Sequence, residues 1–258
     1  MISFNRLLSV DSPKAVKSIQ FGWLNAIHYM APASTAGVGN LCQGASIGCM
    51  LICLGKYSGQ AAMVADLENG TNSVRESRIA KARLFMSERA TYLGHLKRQI
   101  GRLVVKAASE GLRPCIRLNG STDIPFERMR FGADRMTLLE RFPDVQFVDY
   151  TKIYSRLANA PANLSLTFSR SETNEAECLQ ALASGHNVAV VFGAGLPATW
   201  HGYEVISGDL HDLRHLDPRA TRGYVIGLTP KGAKAKKDTS GFVLFDYSDC
   251  VMPLALAA

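Results

Sequence analysis

The chain has 258 residues, 47% of them hydrophobic, and a formal net charge of +7. This composition is sufficient for a sizeable core and excludes a disordered chain. No apolar run approaches the roughly 18–20 residues that span a bilayer, and the N-terminus lacks the continuous apolar core of a signal peptide. We therefore expect a cytoplasmic protein that does not associate with membranes. The sequence does not indicate an oligomeric state.

Apolar, β-branched runs alternate with helical or turn-rich segments along the chain. This alternation predicts an α/β fold with a mostly parallel sheet. About six to eight such strands favour a single-domain (β/α) barrel over residues 1–258, complete or partial, and an open doubly wound sheet is the alternative. The predicted strands are Trp23–Met30, Cys115–Leu118, Val145–Tyr150, Leu164–Phe168, Val188–Phe192, Tyr203–Ile206, Tyr224–Leu228 and Phe242–Phe245.

The longest helical pattern lies between residues 71 and 110, where apolar residues recur near helical spacing. Ser73 and Glu76 resemble a capping box near its start. Gly94 and Gly101 favour two helices with a bend over one continuous helix. Shorter helices are predicted at Arg135–Phe142, Lys152–Ala158 and Asn174–Ala183.

Three of the six cysteines, Cys42, Cys49 and Cys53, lie in one loop at residues 40–55, soon after the first predicted strand. We call residues 40–55 the cysteine segment. Thiolates are soft ligands that suit zinc or an iron–sulfur cluster, and three protein ligands leave one coordination position open. Two alternatives stay open: a structural zinc site closed by Cys115 or a histidine, or cysteines that are plain core residues. The remaining two, Cys178 and Cys250, are interpreted as core residues.

Polar residues follow many of the predicted strands. Binding sites in α/β sheets and barrels lie at the carboxyl ends of the strands, so this pattern predicts a site on that face. The candidate catalytic residues there are His28, Asp123, Asp149 and Lys152. The candidate substrate-binding residues are Arg117, Asp209 and Arg214.

Two further motifs carry open alternatives. The run Asp209-x-His211-Asp212-x-Arg214-His215-x-Asp217 predicts either a cation or phosphate site or a salt-bridged loop. Gly44-Ala45-Ser46-Ile47-Gly48 matches a nucleophile elbow, but that motif needs a strand running into the turn, and glycines precede it here. We therefore favour loop glycines that flank the cysteines.

Residues 71–135 contain 14 Lys or Arg and 6 Asp or Glu, an excess of +8. Such an excess attracts phosphate-rich partners, which favours a nucleotide or nucleic acid. A solvated basic helix is an equally good interpretation.

Five blocks of the chain, in order, resemble the phage gene-88-product family over about residues 20–245. The resemblance implies a phage or prophage origin, and hence the host cytoplasm, without implying a reaction. The blocks are Ala31–Gly37, the cysteine segment, Arg117–Ile124, Asp149–Lys152 and Gly208–Asp212.

The placement of the cysteines after the first strand is also similar to that in radical S-adenosylmethionine enzymes, which are partial or full barrels. The spacing departs from that family, with six and three intervening residues in place of three and two. This resemblance implies a [4Fe-4S] cluster on the three cysteines. It also implies S-adenosylmethionine held by Asn119, Ser121 and Asp123.

Three hypotheses follow. The first is a radical-S-adenosylmethionine-like iron–sulfur enzyme that acts on a nucleotide or nucleic acid. The second is a nucleic-acid-binding protein with a structural zinc site. The third is a metal-free barrel enzyme that uses Asp123, Asp149 and Lys152 as acid and base.

Overall fold

The computed structural model describes residues 6–247 together with Cys250 and Val251. Its strands are β1 Leu8–Ser9, β2 Trp23–His28, β3 Arg113–Arg117, β4 Gln146–Thr151, β5 Leu164–Ser169, β6 Val188–Val191, β7 Thr199–Trp200, β8 Tyr203–Ser207, β9 Val225–Leu228 and β10 Cys250–Val251. Its α-helices are α1 Pro13–Lys17, α2 Ile47–Leu51, α3 Leu54–Tyr57, α4 Ser73–Ser87, α5 Arg89–Ser109, α6 Leu138–Arg141 and α7 Glu175–Ala183. Short 3₁₀ helices span Ser18–Phe21, Gly59–Ala62, Phe126–Arg128, Tyr154–Asn159, Arg214–Leu216 and Ala235–Lys237.

The strands of the described residues form one sheet in the order β1-β2-β3-β4-β5-β6-β9-β8-β7-β10. Strands β2 to β6, β9 and β8 are mutually parallel, whereas β1, β7 and β10 pair antiparallel at the two ends. The α/β class and the mostly parallel sheet are thus confirmed. The sheet is not closed, and its order from β2 to β6 lacks the reversal of a doubly wound fold.

The central strands form because their residues are buried on both faces of the sheet. All six residues of β2 are buried, and five of the six residues of β5 are buried. Such strands occur where parallel sheets are covered on both sides. On one face α5 contributes the buried side chains Tyr92, Leu93, Leu96, Ile100 and Leu103.

The other face of the sheet is covered by the segment around residues 209–217. Leu213 of this segment is fully buried and packs with Trp23 of β2, Cys115 of β3 and Val148 of β4. Side chains alternate between faces along a strand, so Arg117 and Tyr150 also lie on this side. The sheet therefore has a helix-covered face and a face covered by an irregular segment.

The predicted bend in the long helical stretch is confirmed. Helices α4 and α5 meet at Glu88, whose backbone leaves the helical region at φ −135° and ψ 54°. The break does not fall at either glycine. The N-cap of α4 is Asn72, whose side chain accepts the backbone N–H of Arg75, so the predicted Ser73 capping box was wrong.

Two other predicted elements differ from the structure. The predicted strand Phe242–Phe245 contributes only an isolated bridge between Leu244 and Phe192. The pairing of β5 with β6 covers only Val188 and Ala189, and Leu244 makes its backbone hydrogen bonds beyond them, with Val191 and Gly193. The predicted helix Lys152–Ala158 is a 3₁₀ helix over Tyr154–Asn159. Among the described residues, no helix is both long and apolar enough to cross a membrane.

Candidate functional site

The cysteine segment lies against the loops that follow three neighbouring parallel strands. Three of its glycines approach these loops so closely that an added Cβ atom would come within 3.0 Å of the facing side chain. The segment therefore crosses the carboxyl ends of the strands, where α/β folds place their sites. A Cβ atom at Gly44 would lie 2.9 Å from Lys152 after β4, one at Gly48 2.7 Å from Glu172 after β5, and one at Gly55 2.7 Å from Ser121 after β3.

Glu172 anchors the part of the segment that holds Cys49. Its Oε1 accepts the backbone N–H of Gly48 at 2.7 Å, and its Oε2 accepts the hydroxyl of Ser46 at 2.7 Å. The Ser46 Oγ in turn accepts the backbone N–H of Cys49 at 3.2 Å and caps α2. Burial raises the pKa of Glu172, but these hydrogen bonds outweigh burial and leave it below the usual range. Ser46 is thus a helix cap, and no strand runs into it as a nucleophile elbow requires.

The three thiols of the segment are free, partly buried and close enough to affect one another. The Cys42 Sγ accepts the backbone N–H of Ala33 at 3.2 Å. Burial, together with negative charge on Cys53 or Cys49, raises the pKa of Cys42 to about 12, although the hydrogen bond from Ala33 opposes the shift. Burial also raises the pKa of Cys53, whereas the nearby Lys152 ammonium lowers it.

No group of three or more His, Cys, Asp or Glu side chains in the described part of the chain is arranged to hold a metal ion. Cys115, one candidate for a fourth zinc ligand, lies fully buried in the apolar cluster with Trp23, Val148 and Leu213. Cys178 is also fully buried, as predicted for a core residue. The side chain of Cys250 lies outside the described residues.

A buried ion-pair network holds the loops after β3 and β4 together. The Arg156 side chain is 1% exposed and donates to Asp123 Oδ1 at 2.6 Å. It also forms a bidentate pair with Glu127, at 2.9 and 3.0 Å. The other oxygen of Asp123 accepts the backbone N–H of Lys152 at 2.8 Å and the hydroxyl of Thr151 at 3.2 Å. This network holds in place the loops after β3 and β4, against which the cysteine segment packs.

Asn119 and Asp149 form a second buried pair beside that network. The Asn119 side chain donates to Asp149 Oδ2 at 2.6 Å, and its backbone N–H donates to Oδ1 at 3.2 Å. Burial raises the pKa of Asp149 to about 7, although the Arg156 and Arg117 cations oppose the shift. The Asn119 Oδ1 accepts from Thr122 and from the backbone of Ile124. All polar atoms of Asn119 are therefore engaged within the protein.

The other predicted cofactor-binding residues also make internal contacts. The Ser121 hydroxyl donates to the carbonyl of Met30 at 2.6 Å. Asp123 is bound to Arg156, and its backbone N–H donates to Leu41 beside Cys42. The structure thus brings Asn119, Ser121 and Asp123 together at the base of the cysteine segment.

His28 lies on the helix-covered face of the sheet, apart from the cysteine segment. Its Nδ1 is 2.8 Å from the carbonyl oxygen of Leu118, and its Nε2 is 2.6 Å from the hydroxyl of Tyr92 on α5. Burial lowers the pKa of His28 to about 4. Both ring nitrogens link β2 to its neighbours, which is a structural arrangement.

The predicted substrate-binding residues are divided between two places. The Arg117 guanidinium lies 4.6 Å from the Tyr150 ring centroid and 3.9 Å from Asp212. The buried Arg214 pairs with Asp217 at 3.2 Å. These residues form the salt-bridged loop that was one interpretation of the motif at residues 209–217. Asp209 follows β8, and its carboxylate instead contacts Thr229 and Lys231, just after β9.

Much of the basic excess in residues 71–135 is used within the fold. Arg75 is buried and donates to four backbone carbonyls between Lys56 and Gly70. Arg78 donates to the carbonyl of Gly55, at the end of the cysteine segment, at 2.6 Å. Arg83 donates to the carbonyl of Ala36. These contacts make the first part of the basic region a scaffold for residues 36–70.

The sequence profile of the family described as Gene product 88 matches residues 4–245, which include the cysteine segment and the loops beneath it. The chain belongs to the Gene product 88 family. Membership confirms the resemblance to the phage gene-88 family and assigns no reaction. No curated protein and no solved structure matches the chain.

Three residues of the Gene product 88 chain that organise this site were not predicted from the sequence. Glu127 and Arg156 complete the network around Asp123, and Glu172 anchors the cysteine segment. Glu172 had a signal, since it follows a predicted strand end as the other candidates do. The only sequence signal at Arg156 was its charge, in a stretch that was predicted to be helical.

Proposed function

We propose that this chain is an enzyme with an iron–sulfur cluster held by Cys42, Cys49 and Cys53, of the radical S-adenosylmethionine kind. The proposal rests on the position of the cysteine segment, which lies across the loops after β3, β4 and β5. A segment bound to three strand ends by close glycine contacts places its thiols where α/β folds carry out chemistry.

The donor set suits an iron–sulfur cluster. Three free thiols are soft ligands of the kind that such clusters use. The mutual effect of the thiols on pKa shows that they share one neighbourhood.

The strand order supports a barrel-like enzyme. Six parallel strands, β2 to β6 and β9, follow one another across the sheet in chain order, as strands do around a barrel. The cysteine segment follows the first of them. We propose that the open parallel sheet is a partial barrel.

The residues around the segment have separable roles in this proposal. Glu172 positions Cys49, and the Lys152 cation favours the thiolate of Cys53. A bound cluster of this kind supplies an electron for the reductive cleavage of S-adenosylmethionine. To hold that cofactor, Asn119, Ser121 and Asp123 would replace hydrogen bonds within the chain by hydrogen bonds to the cofactor. A nucleotide or nucleic acid is the proposed substrate class.

Iron and acid-labile sulfide analysis after anaerobic reconstitution tests the proposal. We expect about four irons per chain and a brown protein. Replacement of Cys42, Cys49 or Cys53 by Ala should abolish cluster binding. Cys115→Ala is the matched control, because it removes a thiol that is buried in the apolar cluster around Leu213 and should leave iron content unchanged. Wild-type protein without iron and sulfide would contradict the proposal.

A metal-free enzyme is the second candidate function, and the raised pKa of Asp149 favours it. A carboxyl group with a pKa of about 7 is suited to general acid–base catalysis at neutral pH. Retention of fold and activity after replacement of all three segment cysteines by Ser would support this candidate. Loss of activity in that variant, with the fold intact, would support the cluster instead.

A further inference from the structure

A cavity of about 780 Å³ opens at the carboxyl ends of the neighbouring strands β6 and β9. Its volume lies in the range of about 300–1,000 Å³ that is usual for small-molecule sites. The cavity is lined by Ser58, Gly59, Phe192, Gly193, Gly195, Thr229, Pro230, Lys231, Gly232 and Lys236.

The lining is cationic and rich in accessible backbone. Two lysines and no Asp or Glu are among the ten lining residues, and four of the ten are glycines. Glycine lets a ligand approach the main chain closely, because it has no Cβ atom. A lining of this composition attracts anions.

Three backbone N–H groups of the lining residues have no acceptor among the described residues. None of the described residues accepts a hydrogen bond from the N–H of Gly195, Lys231 or Gly232. Gly195 and Gly232 adopt φ values of +108° and +84°, which favour glycine. A Cβ atom at Gly232 would also collide with the carbonyl oxygen of Tyr57. Successive N–H groups in such turns form concavities that bind anions.

The two lysines are placed differently. The Lys231 Nζ is held 2.9 Å from Asp209 and 2.9 Å from the Thr229 hydroxyl, so its side chain is positioned but partly neutralised. Lys236 is exposed and makes no ion pair with the other described residues. Lys236 therefore supplies the uncompensated positive charge of the cavity.

We propose that this cavity binds a phosphorylated small molecule of nucleotide size. Its phosphate groups would accept hydrogen bonds from the N–H groups of Gly195, Lys231 and Gly232 and face the two lysines. Loops after the late strands of α/β barrels are a common place for phosphate. The four-residue helix α3, about 6 Å long, joins Cys53 to Ser58 at the cavity rim. Although α3 connects the cavity to the cysteine segment, phosphate binding in the cavity does not require a cluster on the cysteines.

Isothermal titration calorimetry with inorganic pyrophosphate, ADP and adenosine, on protein without iron at low salt, tests this inference. We expect pyrophosphate and ADP to bind and adenosine to bind at least about tenfold more weakly than ADP. The double variant Lys231→Met, Lys236→Met should weaken ADP binding by about tenfold or more. Lys237→Met is the control, because it removes the same charge one residue outside the lining, and should change ADP affinity by no more than about twofold.

Three results would overturn the inference. They are the absence of pyrophosphate and ADP binding, adenosine binding as tight as that of ADP, and equal losses in the double variant and Lys237→Met. Binding of a short single-stranded DNA that the double variant loses, without ADP binding, would assign the cavity to nucleic acid and would also overturn it. Because none of these measurements requires iron, their failure is distinguishable from failure of the cluster proposal.

Discussion

Arg156 is the buried cation on which the loops beneath the cysteine segment depend. Its side chain is 1% exposed, and its two carboxylate partners, Asp123 and Glu127, are 11% and 4% exposed. Arg156→Met keeps the length and the apolar stem but removes the charge and three hydrogen bonds. The variant therefore leaves two carboxylates buried without a counter-charge.

Removal of one partner from a buried ion pair costs about 3–5 kcal/mol. The free energy of unfolding of a domain is about 5–15 kcal/mol, so Arg156→Met is expected to remove about a fifth of it or more.

Urea denaturation followed by circular dichroism measures this loss. Arg128→Met is the matched control, since the residue is exposed and its side chain makes one hydrogen bond, to the carbonyl of Ser155 at 3.1 Å. The control should change the free energy of unfolding by no more than about 0.5 kcal/mol. A loss in Arg156→Met as small as that of the control would refute the role given to the buried network.

Other predictions concern single positions. Gly44→Ala should destabilise the fold by about 1–3 kcal/mol, because the new Cβ would lie 2.9 Å from Lys152. Gly101→Ala should instead stabilise the fold by about 0.5–1 kcal/mol, because there is open space around Gly101 on α5. Urea denaturation measures both changes. The pKa of His28 is lowered to about 4 in the folded protein, so between about pH 6.5 and 4 the unfolded chain binds a proton that the folded chain does not. The free energy of unfolding should therefore fall by about 3 kcal/mol over this range because of His28. A wild-type stability curve no steeper than that of His28→Gln would contradict this. For Asp149 the sign is opposite: its pKa is raised to about 7, so its contribution falls as pH rises from about 4 to 7, and a carboxyl ¹³C titration with a midpoint below pH 5 would disprove the shift.

The parallel strands could be predicted to within about two residues because their information is local. Runs such as 164–169 are apolar and β-branched, and burial on both faces requires that composition. The two-residue strands β1, β7 and β10 carry no comparable pattern. The predicted strand at 242–245 failed for a non-local reason, because only Leu244 reaches a partner, beyond the point where β5 stops pairing with β6.

The position of the site was predictable, but the partners of its residues were not. Polar residues near strand ends indicated the ends of β3 and β4, where Asp123, Asp149 and Lys152 lie, and the structure brings these residues together. The Asp123–Arg156 pair spans 33 residues, and nothing in the sequence indicates that contact. His28 looked available for catalysis because its tie to Tyr92, 64 residues away, depends on how α5 packs.

Mössbauer spectroscopy of the anaerobically reconstituted protein with ⁵⁷Fe tests the central claim most directly. Ligation by Cys42, Cys49 and Cys53 predicts a four-iron cluster in which one iron lacks a cysteine ligand. We expect the signal of that one iron to change when S-adenosylmethionine is added. A spectrum without cluster iron, or with four equivalent irons that do not respond to S-adenosylmethionine, would contradict the account.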